Sequence, residues 1–182
     1  GAALQDDLPA LASQLDCARA AVRQLVDAAQ TTRSPAQPLA AAIDSLAERA
    51  ALLRPAVPLS VSVDAQVASR SVSVSSVLLA SLDNLLDNAA AASVARPDAG
   101  ITLMAEAHGD DRLQLRILDR GSSFVPPGTL GISDKRDGLG WGLALANAML
   151  ELHGGELHQR PREGGGTESS VRLPWSTLKA AV

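Results

Sequence analysis

The chain has 182 residues, of which 46% are hydrophobic, 20% are charged and 2% are aromatic, and its formal net charge is −4. This length suits one domain of about 150 residues with an additional segment. The charge balance provides no basic excess for nucleic acid, and one Phe and no Tyr leave no aromatic platform for RNA bases. We therefore expect no nucleic-acid partner and a core built mainly from Leu, Val, Ile and Ala.

The sequence also bears on the cellular compartment. No apolar run approaches the roughly 18 residues of a membrane span, and no signal peptide opens the chain. The first residue is Gly rather than Met, which indicates a piece of a longer protein. We expect a cytoplasmic domain, with any membrane anchor supplied by upstream sequence. The single cysteine, Cys17, excludes an internal disulfide.

A long amphipathic helix is predicted over residues 8–29. Apolar residues recur there at alternating spacings of three and four, namely Leu8, Leu11, Leu15, Ala18, Val22, Leu25 and Ala29. This heptad pattern favours a helix that pairs with another helix, although a helix folded onto its own domain would show the same periodicity. Residues 31–38, rich in Thr, Ser and Pro, read as a linker and favour the separate helix.

Cys17 lies one residue off this apolar seam. A free cysteine in such a position is usually a small, half-buried and inert side chain. The alternative is an intermolecular redox contact across a helical dimer.

The remaining chain alternates between helical and strand patterns. The predicted elements are a helix at 39–53, a strand at 59–63, a helix at 75–95, hairpin strands at 101–107 and 113–118, a loop at 120–137, a glycine turn at 138–142 with a helix to about 153, strands at 156–160 and 169–173, and one helical turn after Pro174. This order predicts an α/β (α+β) sandwich with a mixed, mostly antiparallel sheet, preceded by a long helix.

Two asparagines interrupt the apolar helix at 75–95. Asn84 and Asn88 are four residues apart and therefore share one helical face, with Asp87 next to them. Burying amides there costs free energy unless a ligand satisfies them, and Mg²⁺ held by oxygen ligands and nucleotide phosphates would do so. A solvated stripe on an amphipathic helix is the alternative interpretation.

Asp119 follows the strand at 113–118 and precedes Arg120-Gly121. A carboxylate at a strand end can accept a hydrogen bond from an amine or amide of a ligand. It can equally cap a turn, so this residue alone does not decide between the two roles.

Glycines alternate with apolar residues at Gly138, Gly140 and Gly142, and a helix-forming sequence follows. Backbone N–H groups at a glycine turn that leads into a helix form a natural anion site, because the helix dipole adds positive potential and the missing β-carbons let phosphate oxygens approach. A glycine turn that merely packs a helix on a sheet would look the same.

The combination of these motifs resembles the GHKL ATPase family, and in particular its two-component sensor histidine kinases. The matching segments are Asn84-Leu-Leu-Asp-Asn88-Ala for the N box, Asp119-Arg-Gly121-Ser-Ser123 for the G1 box, Gly138-Leu139-Gly140-Trp141-Gly142-Leu143 for the G2 box, and Gly165-Gly166-Thr167 for the closing glycine-threonine. They occur in the family's order over residues 38–174. The resemblance implies a GHKL (Bergerat-type) ATP-binding fold with helices on one face of the sheet.

The resemblance also implies roles for individual residues. Asn88 would ligate Mg²⁺ and Asn84 would support that site, while Asp119 would bind the adenine amino group and Gly121 would keep the pocket open. The ATP phosphates would lie on the backbone of the G2 box, and Thr167 would back the adenine. Residues 122–137 would form the ATP lid, in which Lys135 and Arg136 are our candidates for contacting the γ-phosphate.

On this resemblance, residues 1–33 correspond to the second helix of a dimerisation and histidine-phosphotransfer hairpin, and residues 34–182 to the catalytic and ATP-binding domain. The segment Gln14-Leu-Asp-Cys17-Ala-Arg19 is loosely similar to redox-responsive RegB-type kinases. The expected activity is transfer of the ATP γ-phosphoryl group to a histidine and onward to a response regulator, with homodimerisation through the N-terminal helix.

The sequence departs from the family pattern in several places. Ser123 replaces a glycine of the G1 box, Ala91 replaces a frequent basic residue, and Phe124 is the only lid phenylalanine. No His-Glu/Asp-x-x-x-Pro phosphoacceptor motif occurs, so we expect no catalytic residue in this chain and no autophosphorylation within it. The alternatives are an anti-sigma-factor-like serine kinase and a degenerate module that binds nucleotide or only dimerises.

Overall fold

A computed structural model describes residues 32–94, 100–121 and 141–179. The predicted N-terminal helix with Cys17, the whole predicted lid at 122–137 and the first part of the glycine turn lie outside these ranges. The elements are β1 (Gln37–Pro38), α1 (Leu39–Leu53), β2 (Leu59–Val63), α2 (Ala65–Ala68), β3 (Ser71–Val72), α3 (Ser76–Ser93), β4 (Ile101–His108), β5 (Arg112–Leu118), α4 (Trp141–Leu152), β6 (Glu156–Pro161), β7 (Thr167–Pro174) and a 3₁₀ helix (Trp175–Leu178).

Five strands form the main sheet in the order β2-β4-β5-β7-β6. The β2–β4 pair is parallel and the other three pairs are antiparallel, as predicted. A parallel pair needs a crossover connection, which α2, β3 and α3 supply between β2 and β4. A separate two-stranded sheet joins β1 to β3.

One face of the sheet is covered by helices. Side chains alternate along each strand, so that Leu103, Leu115 and Val171 are fully buried on the helix side. They belong to one hydrophobic cluster with leucines of α1, α3 and α4. The opposite face carries polar side chains such as Glu106, Arg116 and Glu168. This confirms the predicted sandwich, and within the described ranges no helix is long and apolar enough to cross a bilayer.

A buried hydrogen-bond chain fastens α3 to α4. Ser75 caps α3, because its Oγ accepts from Leu78 N at 3.2 Å. The same hydroxyl lies 2.9 Å from His153 Nε2, and His153 Nδ1 lies 2.8 Å from Met149 O. Since a carbonyl only accepts, Nδ1 carries the proton and Nε2 accepts from the Ser75 hydroxyl. The end of α4 therefore lies against the start of α3, and the two helices run antiparallel.

Residues 32–38, the leading segment, are hydrogen-bonded to the domain. Thr32 O accepts from Ser76 N at 3.0 Å, and Ser34 N donates to Val74 O at 2.9 Å. Arg33 Nη2 donates to Thr177 O at 2.7 Å and also to Ser73 O. Composition alone indicated a free linker here, but these polar groups satisfy the backbone of neighbouring segments. Residues 32–38 of the predicted linker are therefore part of the folded domain.

Candidate functional site

Asp119 is the best-defined polar group of the site. It lies just beyond β5, is 4% exposed, and its Oδ1 accepts from Gly121 N at 2.8 Å and from Thr167 N at 3.0 Å. Asp119 N donates to Thr167 O at 3.0 Å. No described residue donates to Oδ2. The carboxylate is thus fixed through Oδ1 by two backbone N–H groups.

Two glycines permit the close approach of chain segments around Asp119. A β-carbon on Gly166 would lie 2.2 Å from Asp119 O, and the φ of Gly166 is +90°. A β-carbon on Gly121 would lie 2.6 Å from Cβ of Ala92. Because such contacts are far inside van der Waals distance, both positions require glycine. Gly121 therefore brings the predicted G1 segment directly against the end of α3.

Sequence reasoning missed one residue that holds this segment. Arg162 Nη1 donates to Asp119 O at 2.6 Å across 43 residues of sequence. The turn between β6 and β7 carries Arg162 and Gly166 and folds back over Asp119. Arg162 matches no family motif, and only the tertiary fold reveals its role.

The predicted asparagine face of α3 points away from α1. Asn84 and Asn88 are half-buried, and among the described residues neither amide has a hydrogen-bond partner. Ala92 follows Asn88 by four residues, so it continues the same stripe and ends it at Gly121. The asparagines therefore line the side of α3 that leads to Gly121 and Asp119.

The neighbouring aspartates serve a different face of the same helix. Asp83 pairs with Arg49 of α1 at 3.2 Å, and Asp87 pairs with Arg54 at 3.0 Å. Both pairs are well exposed. Asp87 is thus engaged with α1, and the amides of Asn84 and Asn88 are the polar groups that α3 presents to the site.

The end of α4 is fixed against the start of α3, because His153 Nε2 lies 2.9 Å from Ser75 Oγ. The two helices pack against each other, and each rises about 1.5 Å per residue, so we expect Trp141 to lie about level with Asp87 and Asn88. The first turn of a helix has backbone N–H groups without intrahelical partners and a positive dipole end, which suits an anion.

The other predicted residues of the glycine turn divide into two groups. Leu143 is half-buried and packs against the hydrophobic core, so its side chain supports α4. For Trp141 and Gly142 the structure describes the backbone alone. Five predicted residues lie entirely outside the described ranges, namely Lys135, Arg136, Gly138, Leu139 and Gly140.

An ionic cluster on the open sheet face supports the strands behind the site. Glu168 directly follows Thr167 and receives two hydrogen bonds from Arg116, at 3.0 and 3.1 Å, and one from Arg160 at 2.9 Å. The Arg116 hydrogen bond, opposed by burial, lowers the pKa of Glu168, and the same bond raises the pKa of Arg116. The cluster ties β5, β7 and β6 together where they position Asp119 and Thr167.

These contacts define a class of site. A buried carboxylate suits an amino group of a base, amide oxygens suit a hard cation, and a helix N-terminus suits phosphates. Asp119 lies beside Gly121, which contacts the end of α3, and Asn84 and Asn88 lie on the same helix. The α+β sandwich and these residues are of the kind found in nucleotide-binding domains.

Residues 73–177 match the family described as histidine kinase-, DNA gyrase B-, and HSP90-like ATPases, and the chain belongs to this family. It is 33% identical over 102 residues to the C4-dicarboxylate transport sensor protein DctS of Rhodobacter capsulatus, covering 51% of this chain and 15% of DctS. It is 35% identical over 108 residues to the sensor protein KdpD of Rathayibacter rathayi, covering 54% of this chain and 12% of KdpD. The chain thus spans less than a fifth of these curated relatives.

Solved structures show the same fold. The mycobacterial sensor histidine kinase MprB aligns with a TM-score of 0.60 at 24% identity, covering 77% of this chain and 96% of that structure. The catalytic domain of the histidine kinase ThkA aligns with a TM-score of 0.60 at 16% identity, covering 79% of this chain and 97% of that structure. The predicted ATP-binding catalytic domain of the sensor histidine kinase type is confirmed, and ATP is the nucleotide of this family.

Proposed function

We propose that this domain binds ATP with Mg²⁺ and donates the γ-phosphoryl group to a histidine, from which a response-regulator aspartate takes it. The observation that carries the proposal is Asp119, whose Oδ1 is fixed by two backbone N–H groups while no described residue donates to Oδ2. The similarity to sensor kinases supports the phosphoryl acceptor class.

In this proposal each motif has one task. Asp119 Oδ2 accepts a hydrogen bond from the adenine amino group, and Thr167 lies behind the base. The backbone at the start of α4, continuing into Gly138, Leu139 and Gly140, receives the phosphates, with Lys135 and Arg136 near the γ-phosphate. Such a site acts mainly by positioning the nucleotide and neutralising its charge.

Asn88 fits magnesium as a single protein ligand. Its amide oxygen is a hard donor, and its side chain is half-buried. Mg²⁺ usually keeps several waters and takes further oxygens from nucleotide phosphates, so one amide ligand supported by Asn84 is sufficient. When bound, the ion neutralises negative charge on the phosphates.

The phosphoacceptor histidine lies outside this sequence in our proposal. His153 is buried between α3 and α4 and is held by Ser75 and Met149, so it cannot meet a phosphate. The acceptor would come from a hairpin helix upstream, which residues 1–33 would complete as a homodimer in the cytoplasm. A redox role of Cys17 in that dimer belongs to the same proposal.

Calorimetric titration with a non-hydrolysable ATP analogue tests the nucleotide site. Asp119→Asn should weaken binding about 10- to 100-fold, because a charge-assisted hydrogen bond to adenine is lost. A GTP analogue should bind the unmodified chain about as weakly as the ATP analogue binds Asp119→Asn, because guanine places a carbonyl oxygen opposite Asp119 Oδ2. Asp87→Asn is the matched control and should bind normally. If the unmodified chain binds neither analogue, the proposal fails.

The metal role is tested by the same titration with and without Mg²⁺. Asn88→Ala should lose the Mg²⁺-dependent part of the affinity and keep the rest. Asn147→Ala is the control, because Asn147 is tied to Glu151 on the outer side of α4. An equal Mg²⁺ effect in Asn88→Ala and the unmodified chain would remove Asn88 as the ligand.

The acceptor is identified with labelled ATP and a chain extended upstream. An acid-labile, base-stable phosphate on the upstream segment is the expected product. An acid-stable phosphate on serine would instead support a serine kinase.

A further inference from the structure

A cavity of about 140 Å³ lies between α1, α3 and the sheet. It is lined by Leu113, Leu115 and Leu173 of the sheet, by Leu46 of α1 and by Leu78 and Leu82 of α3, among others. At about 100° per residue, Leu78 and Leu82 lie on average about 120° around α3 from Asn84 and Asn88, on a different side of the helix. The cavity is therefore separate from the nucleotide site.

The composition of the core accounts for this cavity. The chain has one Phe and no Tyr, and none of the described residues that line the space is aromatic. Leucine and valine side chains reach less far from the backbone than aromatic rings do. Two helices and a sheet at ordinary separation thus leave a volume that these aliphatic side chains do not fill.

The interior of the cavity offers no hydrogen bonds to water. Of its polar lining residues, Ser45 and Arg49 are exposed to solvent, and two are already engaged, since Arg49 pairs with Asp83 at 3.2 Å and Ser34 Oγ accepts from Val74 N at 3.0 Å. A buried water needs two to four polar partners, and apolar cavities of roughly 150 Å³ stay dry and bind molecules such as benzene.

We propose that this cavity binds a small, neutral, hydrocarbon-like molecule of about the size of toluene. The aliphatic walls accept the apolar body, and a charged group inside would lose its hydration without compensation. Any polar substituent lies at the mouth, beside Gln37 and Ser45. This site is independent of the proposed nucleotide function, because it uses the other side of α3.

Thermal unfolding with toluene tests the proposal. Saturating toluene should raise the Tm of the 182-residue chain by at least about 2 °C, because it binds only the folded state. Benzylammonium has the same ring with a charge and should not raise it. Ala42 lines the cavity, so Ala42→Leu should fill it and abolish the toluene effect. Ala41→Leu adds the same side chain outside the lining and should retain the effect.

Methyl NMR of the unmodified chain decides the location without any variant. Toluene should shift the methyl signals of Leu46, Leu78 and Leu115 and leave those of the exposed Leu52 and Leu152 unchanged. Absence of these shifts overturns the proposal, as does an equal Tm response in the two variants. Loss of toluene binding with a saturating ATP analogue would place the molecule in the nucleotide site and also overturn it.

Discussion

The two ends of the α3–α4 helix pair are built in opposite ways. At the closed end, Ser75 and His153 bind each other and every polar atom of the His153 ring has a partner within the chain. At the site end, Asn84, Asn88 and one oxygen of Asp119 have no partner among the described residues. Within the described residues, the helix pair therefore has a hydrogen-bonded junction at one end, and near the other end lie the polar groups that we propose bind the nucleotide.

This difference separates stability from function along the pair. Buried polar groups are nearly always paired, and leaving one unpaired costs free energy. At the closed end the chain itself supplies the hydrogen-bond partners, and these bonds fix the relative position of the two helices. At the site end, where Asn84 and Asn88 are half-buried, we propose that the ligand supplies the partners of these groups.

The largest effect is expected at Gly166, where the site end is most tightly built. Gly166→Ala would push a β-carbon against Asp119 O and strain a backbone at φ +90°, so we expect about 3–5 kcal/mol of destabilisation and loss of nucleotide binding. Gly164→Ala shares the positive φ but meets nothing within 4 Å, so it should cost only about 1–2 kcal/mol. Urea unfolding measures both. Equal costs would show that backbone strain, and not contact with Asp119, requires glycine.

Breaking the closed end should affect stability alone. Ser75→Ala removes the cap of α3 and the partner of the buried His153, at a cost of about 2–3 kcal/mol. A double-mutant cycle with His153→Ala should give a coupling of about 1 kcal/mol. Under conditions in which the variant is fully folded, its nucleotide affinity should change by less than about threefold. A tenfold loss would mean that the two ends are not separable.

The acid dependence of stability should identify Glu168 as the support of the site end. Its pKa is lowered on folding, so its contribution is complete above the unfolded pKa and is lost as pH falls through the folded pKa. Glu168→Gln should cost about 1–2 kcal/mol at pH 7, and this difference should shrink from about pH 5 downward. Glu156 is the control, because it is exposed and its pKa is also lowered, by the hydrogen bond with His158 and by the charge of Arg112. Glu156→Gln should leave the acid limb of the stability curve nearly unchanged at moderate salt.

The smallest effect is expected for the salt bridges between α1 and α3. The side chains of Arg54 and Asp87 are 42% and 41% exposed, so Arg54→Ala should change stability by no more than about 0.5 kcal/mol. Nucleotide affinity should be unaffected, as measured by the same titration. A larger loss would mean that α1 holds the asparagine face in place.

Local signals made most of the fold predictable. The helix at 39–53 and the strand at 59–63 agree with the structure at both ends, because periodicity and flanking prolines mark them. Two elements were not predicted: α2 has four residues and the β1–β3 pairing joins strands of two residues each, so neither is long enough to show a period. The leading segment was interpreted as a linker from its Thr, Ser and Pro content, because it is also too short to show a period.

The site was predictable as a set of motifs and not as a set of contacts. Motif order brought Asp119, Gly121 and Thr167 together, and the structure joins them through shared hydrogen bonds. The clamp by Arg162 and the contact of Gly121 with Ala92 depend on the tertiary fold, which no local pattern encodes.

The leading segment has a consequence for exchange of modules between proteins. Thr32 O accepts from the first N–H of α3, and Arg33 crosses to Thr177 O, so the base of the asparagine helix includes residues from before the domain's first helix. A chimera joined after Ser34 would replace Thr32 and lose the Arg33 side chain with its hydrogen bonds to Ser73 and Thr177. A junction placed before Thr32 keeps the hydrogen bonds of Thr32 and Arg33. The upstream module can then be exchanged without changing these contacts of the domain.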